Sequence, residues 1–209
     1  MTGSTTADRR RAIVQGAFDA LLHNGLPHLS YDTIADRAGL TRQLVRYHFP
    51  DPEALMLEVC DRMADVYREA LTATEGQQQR TVRLDALFDF YFDLLDGTSK
   101  PRDDQVYDAM LSLSVKSPKI RHALGDQYRL VGQVLSHEFG AQYPDLDRQS
   151  AEELSWLFVC LMYGHWRMVA SLGFSASHRH VSRRAMDRLI RSYLIDKGTD
   201  LDMWRRDPV

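Results

Sequence analysis

Residues 30–49, SYDTIADRAGLTRQLVRYHF, contain two helix starts with a glycine between them, which restricts the fold more than any other stretch. Ser30 and Thr41 are each placed to accept an orphan backbone N–H at a helix start. Ile34, Ala35 and Ala38 fall on one side at helical spacing, and Ala35 is small where two helices must approach closely. Gly39 stands where the turn needs a left-handed residue, and Leu40 is apolar and can plug the corner. In the second helix Val45 and Phe49 point inward, four residues apart. Arg42, Gln43, Arg46 and Tyr47 then face outward. A short helix, a tight glycine turn and a second short helix make a helix-turn-helix.

The outward set suits a duplex. Arginine can take guanine O6 and N7 bidentately, and glutamine can do the same for adenine N6 and N7. Tyrosine and arginine also bond phosphates, which fixes register without reading sequence. Arginine and glutamine alone favour a solvated helix on an ordinary bundle, since surface helices commonly carry them. The order capper, small residue, glycine, capper, core valine is what points to DNA.

The chain resembles the TetR family of bacterial transcriptional regulators. The resemblance rests on Ile34-Ala35-x-x-Ala38-Gly39-Leu40-Thr41, on Val45 and Tyr47-His48-Phe49, and on Glu53-Ala54-Leu55. An amphipathic helix closed by Asn24-Gly25 precedes them. The motif covers about the first quarter of the chain, and the remainder resembles the family in helix layout. The resemblance implies an all-α fold of about nine helices. A three-helix DNA-binding domain over 1–50 is followed by a helical ligand-binding and dimerisation domain over 51–209. It places Ser30, Thr41, Arg42, Gln43, Arg46, Tyr47 and His48 at the DNA. Three positions depart from the family pattern. Gln43 stands where Gly is common, Arg46 where an aromatic is usual, and Pro52 where a phosphate-contacting Lys is frequent. Asp51-Pro52 still makes a good cap and first residue for the next helix.

A length of 209 residues supports one larger domain or two small ones. A net charge of −3 argues against a chain that coats nucleic acid everywhere. Arginines outnumber acids within residues 1–50, so the acid excess belongs to the rest. A basic end on an acidic body suits a reader with a regulatory body. Cys60 and Cys160 are isolated and read as buried free thiols, which fits a reducing cytoplasm. No signal peptide is expected, and the longest apolar run, around 156–163, is far below the ~18 residues of a bilayer span. No membrane partner and no cofactor are expected.

Apolar spacing predicts helices over 8–24, 52–74, 81–95, 104–115, 118–139, 147–172 and 181–195. Residues 1–7 are expected to be disordered. Arg9, Arg10 and Arg11 either touch phosphates or are simply solvated. Helix four should bury Leu55, Val59, Met63, Val66, Tyr67 and Ala70. As the expected single covalent link between the domains, it should tilt when a ligand binds. Residues 76–79 read as a linker. Breaks fall at Gly97 and Pro101, Ser117-Pro118, Gly140 and Pro144, and 173–177.

The helix over 147–172 carries a heptad-like seam of Leu154, Phe158, Leu161, His165, Met168 and Leu172. A second apolar strip holds Trp156, Val159, Tyr163, Trp166 and Ala170. A helix apolar on two faces needs two neighbours. One can be its own body and the other a second copy, with Gly164 allowing close approach. The last helix offers Val181, Ala185, Met186, Leu189, Ile190 and Tyr193 as a companion. The alternative is a large monomeric core; a homodimer through Leu154, Phe158, Leu161, His165, Met168, Leu189 and Tyr193 is expected, as the resemblance implies. Its two readers would engage a palindromic operator.

The middle helices are rich in aromatics and methionine. Phe88, Tyr91, Tyr107, Met110, Tyr128, Tyr163 and Trp166 are candidate lining for a small apolar or aromatic effector, as most such sites are apolar with a few polar groups. Plain core packing is the expectation for more than half of the aromatics and methionines in these helices. Enzyme activity is not expected. GxSxG, HExxH, the P-loop and the dinucleotide fingerprint are all missing. His178-x-His180 with His122 is too loose a set for metal, so no metal is expected. The overall expectation is a ligand-responsive repressor. The alternative is a ligand-binding or interaction module of the same fold that no longer reads DNA.

Overall fold

The computed structural model describes the backbone of residues 5–75, 83–92, 94, 104–175, 177–198 and 202–206, with the side chains of 66–75, 83, 104 and 170 excepted. The expected linker at 76–79, the breaks at Gly97 and Pro101, and the inward roles of Val66, Tyr67, Ala70 and Ala170 lie outside the described residues. Among the described residues there are nine α-helices and no strand. They are α1 (Thr6–Asn24), α2 (Tyr31–Ala38), α3 (Arg42–His48), α4 (Pro52–Glu75), α5 (Arg83–Tyr91), α6 (Asp104–Ser114), α7 (Pro118–Gln142), α8 (Arg148–Trp166) and α9 (His178–Tyr193). A 3₁₀ turn at Leu26–His28 follows α1, and α8 runs on into a π-helical turn, Arg167–Ser171.

α1 starts two residues earlier than its apolar stripe indicates. Thr5 and Asp8 form a capping box, with the Thr5 hydroxyl taking the Asp8 N–H and the Asp8 carboxylate taking the Thr5 N–H at 3.0 Å. The expected disorder over 1–7 therefore does not extend to residues 5–7, while 1–4 lie outside the described residues.

The chain divides into two compact units, and not at residue 50. The first comprises residues 1–73 and 101–126, and the second 74–100 and 127–209, so the chain passes between them three times. Helix four is thus not the single covalent link. The cause lies in α1, which buries Ile13, Val14, Gly16, Ala17, Phe18, Ala20 and Leu21. α2 and α3 are too short to cover that stripe, since they bury only Ile34, Ala35 and Val45. Leu55, Val59 and Met63 of α4, Val106, Ala109 and Met110 of α6, and Ile120 and Leu124 of α7 complete the same core. Burying such side chains supplies most of the driving force for folding.

The second unit is built on aromatic packing. The Phe88 ring centroid lies 4.9 Å from that of Phe158 and 5.8 Å from that of Phe139. Tyr91 and Phe92 meet Phe158 edge-on. Arg183 of α9 ties this core to α5. It pairs with Asp85, Asp89 and Asp187, and its guanidinium sits 5.1 Å over the Phe88 ring.

Candidate nucleic-acid interface

The corner of the helix-turn-helix is built from backbone and caps. The Ser30 hydroxyl accepts the Thr33 N–H at 3.2 Å, and the Thr33 hydroxyl accepts the Ser30 N–H at 2.9 Å. α2 ends at Gly39 with φ +64°, a left-handed conformation that glycine adopts without a Cβ penalty. Leu40, half-buried, donates its N–H to Ala35 O at 3.0 Å. Thr41 caps α3 by accepting the Leu44 N–H at 3.3 Å. α2 also lies almost on top of α1. A Cβ at Gly16 would come within 2.9 Å of Ala38 N and Ile34 O, so α1 must carry a glycine there.

α3 has only seven residues, and a helix that short does not persist alone. Val45 and Phe49 anchor it at 0% and 1% exposure. Its C-terminal end is held by two side chains from other helices. Arg10 Nη1 donates to His48 O at 2.9 Å, and its guanidinium lies 4.1 Å over the Phe49 ring. Tyr31 Oη donates to Phe49 O at 2.8 Å. Arg10 also pairs with Glu58 of α4. Two carbonyls at the end of α3, those of His48 and of its cap Phe49, which a helix end leaves unsatisfied, thereby gain partners.

Arg42, Gln43, Arg46 and Tyr47 are exposed on the free side of α3, Tyr47 at 78%. Thr41 is exposed too, with its hydroxyl used in the cap. Ser30 is likewise engaged as a cap. Arg42 is not free, because Nη1 lies 3.1 Å from Asp32 Oδ2. His48 turns partly inward. It is half-buried, its ring meets Tyr47 edge-on at 5.3 Å, and its Nε2 is buried without a hydrogen-bond partner. Of the N-terminal arginines, Arg9 is exposed, Arg11 pairs with Asp8, and Arg10 is drawn onto α3. The supporting roles of Asp32, Arg10, Tyr31 and Gly16 were not legible in the sequence, because their partners lie ten to 48 positions away in the chain.

α4 begins beside this surface. Asp51 Oδ1 accepts the Glu53 N–H at 2.9 Å. Glu53 in turn accepts from Ser117 Oγ at 2.6 Å and from Lys119 Nζ at 2.7 Å. The Lys119 ammonium and then the Ser117 hydroxyl hold the Glu53 carboxyl below its ordinary range.

The seven candidate effector residues do not share a unit. Tyr107 and Met110 belong to the first, and Phe88, Tyr91, Tyr128, Tyr163 and Trp166 to the second. Met110 and Phe88 are fully buried core residues, and Met110 Sδ accepts from Cys60 Sγ at 3.5 Å. Burial pushes the Tyr91 hydroxyl up to about 12, and its backbone carbonyl accepts from Trp166 Nε1 at 3.1 Å. Tyr163 Oη accepts from Arg167 at 2.9 Å. The second unit does contain a cleft of about 1320 Å³. Arg129, Ser136 and His137 of α7, Arg148 of α8, and Trp204 with Arg205 are among its lining, and none of the seven candidates is.

The expected dimer seam needs correction. Leu154, Phe158 and His165 are buried within the single chain, at 0%, 0% and 6% exposure. Phe158 is enclosed by Phe88, Tyr91 and Phe92, and His165 Nδ1 shares a hydrogen bond with Ser182 Oγ at 3.1 Å. These three have no surface to offer a second copy. The open side of α8 and its π-helical continuation is instead the row Trp156, Cys160, Gly164, Met168 and Leu172, flanked by half-buried Leu161, so Cys60 is buried as expected but Cys160 is exposed. Leu189 and Tyr193 of α9 are half-buried. Among the described residues no three His, Cys, Asp or Glu cluster as metal ligands, and no helix is long and apolar enough to cross a membrane.

No family model matches the sequence. Solved structures do match in fold. A putative transcriptional regulator from Saccharomonospora viridis in complex with choline is 21% identical with a TM-score of 0.68, over 89% of this chain and 97% of that one. A putative TetR-family transcriptional regulator from Rhodococcus sp. is 17% identical with a TM-score of 0.67, over 90% and 99%. The multidrug binding protein EbrR complexed with ethidium is 20% identical with a TM-score of 0.64, over 87% and 98%. With its helix-turn-helix packed on α1 and α4 and its all-helical second unit, the chain has the fold of the TetR-family transcriptional regulators.

Proposed function

We propose that the protein is a DNA-binding transcriptional regulator of the cytoplasm. It acts as a ligand-responsive repressor that reads a palindromic operator as a homodimer. The observation that carries this reading is α3 itself. A seven-residue helix is capped at one end, tied at the other, anchored by Val45 and Phe49, and exposed along Arg42, Gln43, Arg46 and Tyr47. Rigid support of a polar face is what base readout requires, since phosphate contacts position while base contacts specify. Ser30, Thr41 and His48 stand at its edges as further phosphate-side candidates.

The homodimer is assigned to the open row of α8 with Leu161, Leu189 and Tyr193. Two readers in such a dimer engage half-sites about 34–36 Å apart. A small, largely apolar or aromatic effector is assigned to the second unit, in keeping with the choline and ethidium bound by the fold's other members. An effector acts only by favouring one of two conformations. Here α4 is the element assigned to carry the change, because Glu58 grips the arginine that holds the end of α3.

Selection from random duplexes, followed by gel shift at several salt concentrations, tests the reading. An operator should emerge whose binding weakens steeply as salt rises. Arg42→Ala with Gln43→Ala should relax its sequence preference. A second reading, an interaction module without DNA reading, draws on Pro52 and on the acids Asp51 and Glu53 at the start of α4. Failure of any duplex to be enriched would favour it.

A further inference from the structure

Resting on the DNA-reading function proposed above, we infer that Asp32 is a specificity-determining positioning residue that aims Arg42 at a base. Asp32 is the second residue of α2 and Arg42 the first of α3, so the two face each other across the turn. Asp32 Oδ2 holds Arg42 Nη1 at 3.1 Å. The side chains remain 57% and 60% exposed, so the pair contributes little to folding.

An exposed arginine is a mobile cation that any phosphate satisfies, which adds affinity for every sequence alike. Holding one guanidinium nitrogen changes that. The guanidinium is a planar fork of five donors. With Nη1 on Asp32, the remaining donors keep a fixed plane, and two of them can meet guanine O6 and N7 together. The rest of the reading face makes the contrast visible. Gln43 and Arg46 form no hydrogen bond or ion pair with the described residues, so of the two outward arginines only Arg42 is tied. Arg46 supplies general attraction to the backbone, and Arg42 supplies discrimination.

The sign of Asp32 matters as much as its position. A carboxylate beside a duplex repels phosphates of every sequence. Only a site that rewards the oriented arginine offsets the repulsion, and this is how a repulsive group sharpens a choice between partners. A residue that merely supported α2 would not act in this way. Its loss would weaken all duplexes together.

The test uses the full chain, the duplex it selects from a random pool, and the single-base variants of that duplex. Arg42→Ala first identifies the base whose identity ceases to matter. Asp32→Ala is then expected to raise affinity for mismatched duplexes several-fold and to steepen the salt dependence. It should also shrink the penalty for changing the Arg42 base, roughly tenfold or more in wild type, to about twofold. Asp32→Asn keeps an acceptor for Arg42 without the charge. It should raise mismatched affinity while retaining most of the base preference, and its melting temperature guards against a folding defect. An unchanged base penalty in Asp32→Ala, a uniform loss on all duplexes, or an Arg42→Ala that erases no preference would each overturn the role of Asp32. If the wild-type chain enriches no duplex at all, the DNA-reading function itself fails, and this role with it.

Discussion

Gly16 has no side chain, and the closeness of α1 to α2 depends on that. A methyl group there would sit 2.9 Å from two backbone atoms, which cannot rotate away as a side chain can. Gly16→Ala should therefore lower the melting temperature, at a cost of ~1–3 kcal/mol from overpacking, and thermal denaturation followed by circular dichroism checks it. Arg10 is a second residue of this kind, as it links α1, α3 and α4 through one guanidinium. Its side chain is 39% exposed, so Arg10→Ala should cost stability only about 1 kcal/mol. Operator affinity should fall more than that loss predicts, because the end of α3 loses its tether. Titration of a selected duplex beside the melting curve separates the two effects. Neither residue was legible in the sequence. A glycine inside a helix and an arginine near its start look ordinary until the partner helices are in place.

The elements most legible in the sequence are those whose shape is decided within a few residues. Ser30, Gly39 and Thr41 act on backbone groups three or four positions away, so α2, the turn and α3 appear with nearly correct ends. The contribution of α4 was less legible, because the partners of its first turn come from the start of α7. That contact has a pH signature. The folded Glu53 carboxyl is depressed, so its contribution is present above the ordinary carboxylate range and lost as pH falls through the folded value. The Lys119 ammonium is raised by the same pair, so its contribution holds below the ordinary lysine range and is lost as pH rises through the folded value. Melting temperatures measured from neutral pH downward should thus fall less steeply in Glu53→Gln than in wild type. An α8 apolar on two sides was also legible, yet which side faces inward was not. Spacing alone treats Phe158 and Met168 as one seam, whereas the α5 rings enclose the first and leave the second at 45% exposure.

On the scale of the whole molecule, that difference predicts how assembly responds to charge. In the proposed homodimer, Met168→Glu should shift the sedimentation coefficient from dimer toward monomer while leaving helicity intact. Phe158→Glu should unfold the second unit, since a carboxylate buried among Phe88, Tyr91 and Phe92 has no partner there. The effector residues were the least legible part. Aromatics in mid-chain helices read the same whether they line a void or fill a core, and Phe88 and Met110 fill one. The division of the chain was equally hidden, because nothing in residues 101–126 announces that they complete the core begun by α1. This interleaving bears on how such a protein can be inherited and rebuilt. A reader that ended cleanly at residue 50 could be moved between proteins by one crossover. This one cannot, for a cut after α4 would leave behind Val106, Ala109, Met110, Ile120 and Leu124 and strand α1 with an open apolar face. A graft of residues 1–75 alone should therefore unfold, whereas one that also carries 101–126 keeps the side chains that close the α1 core.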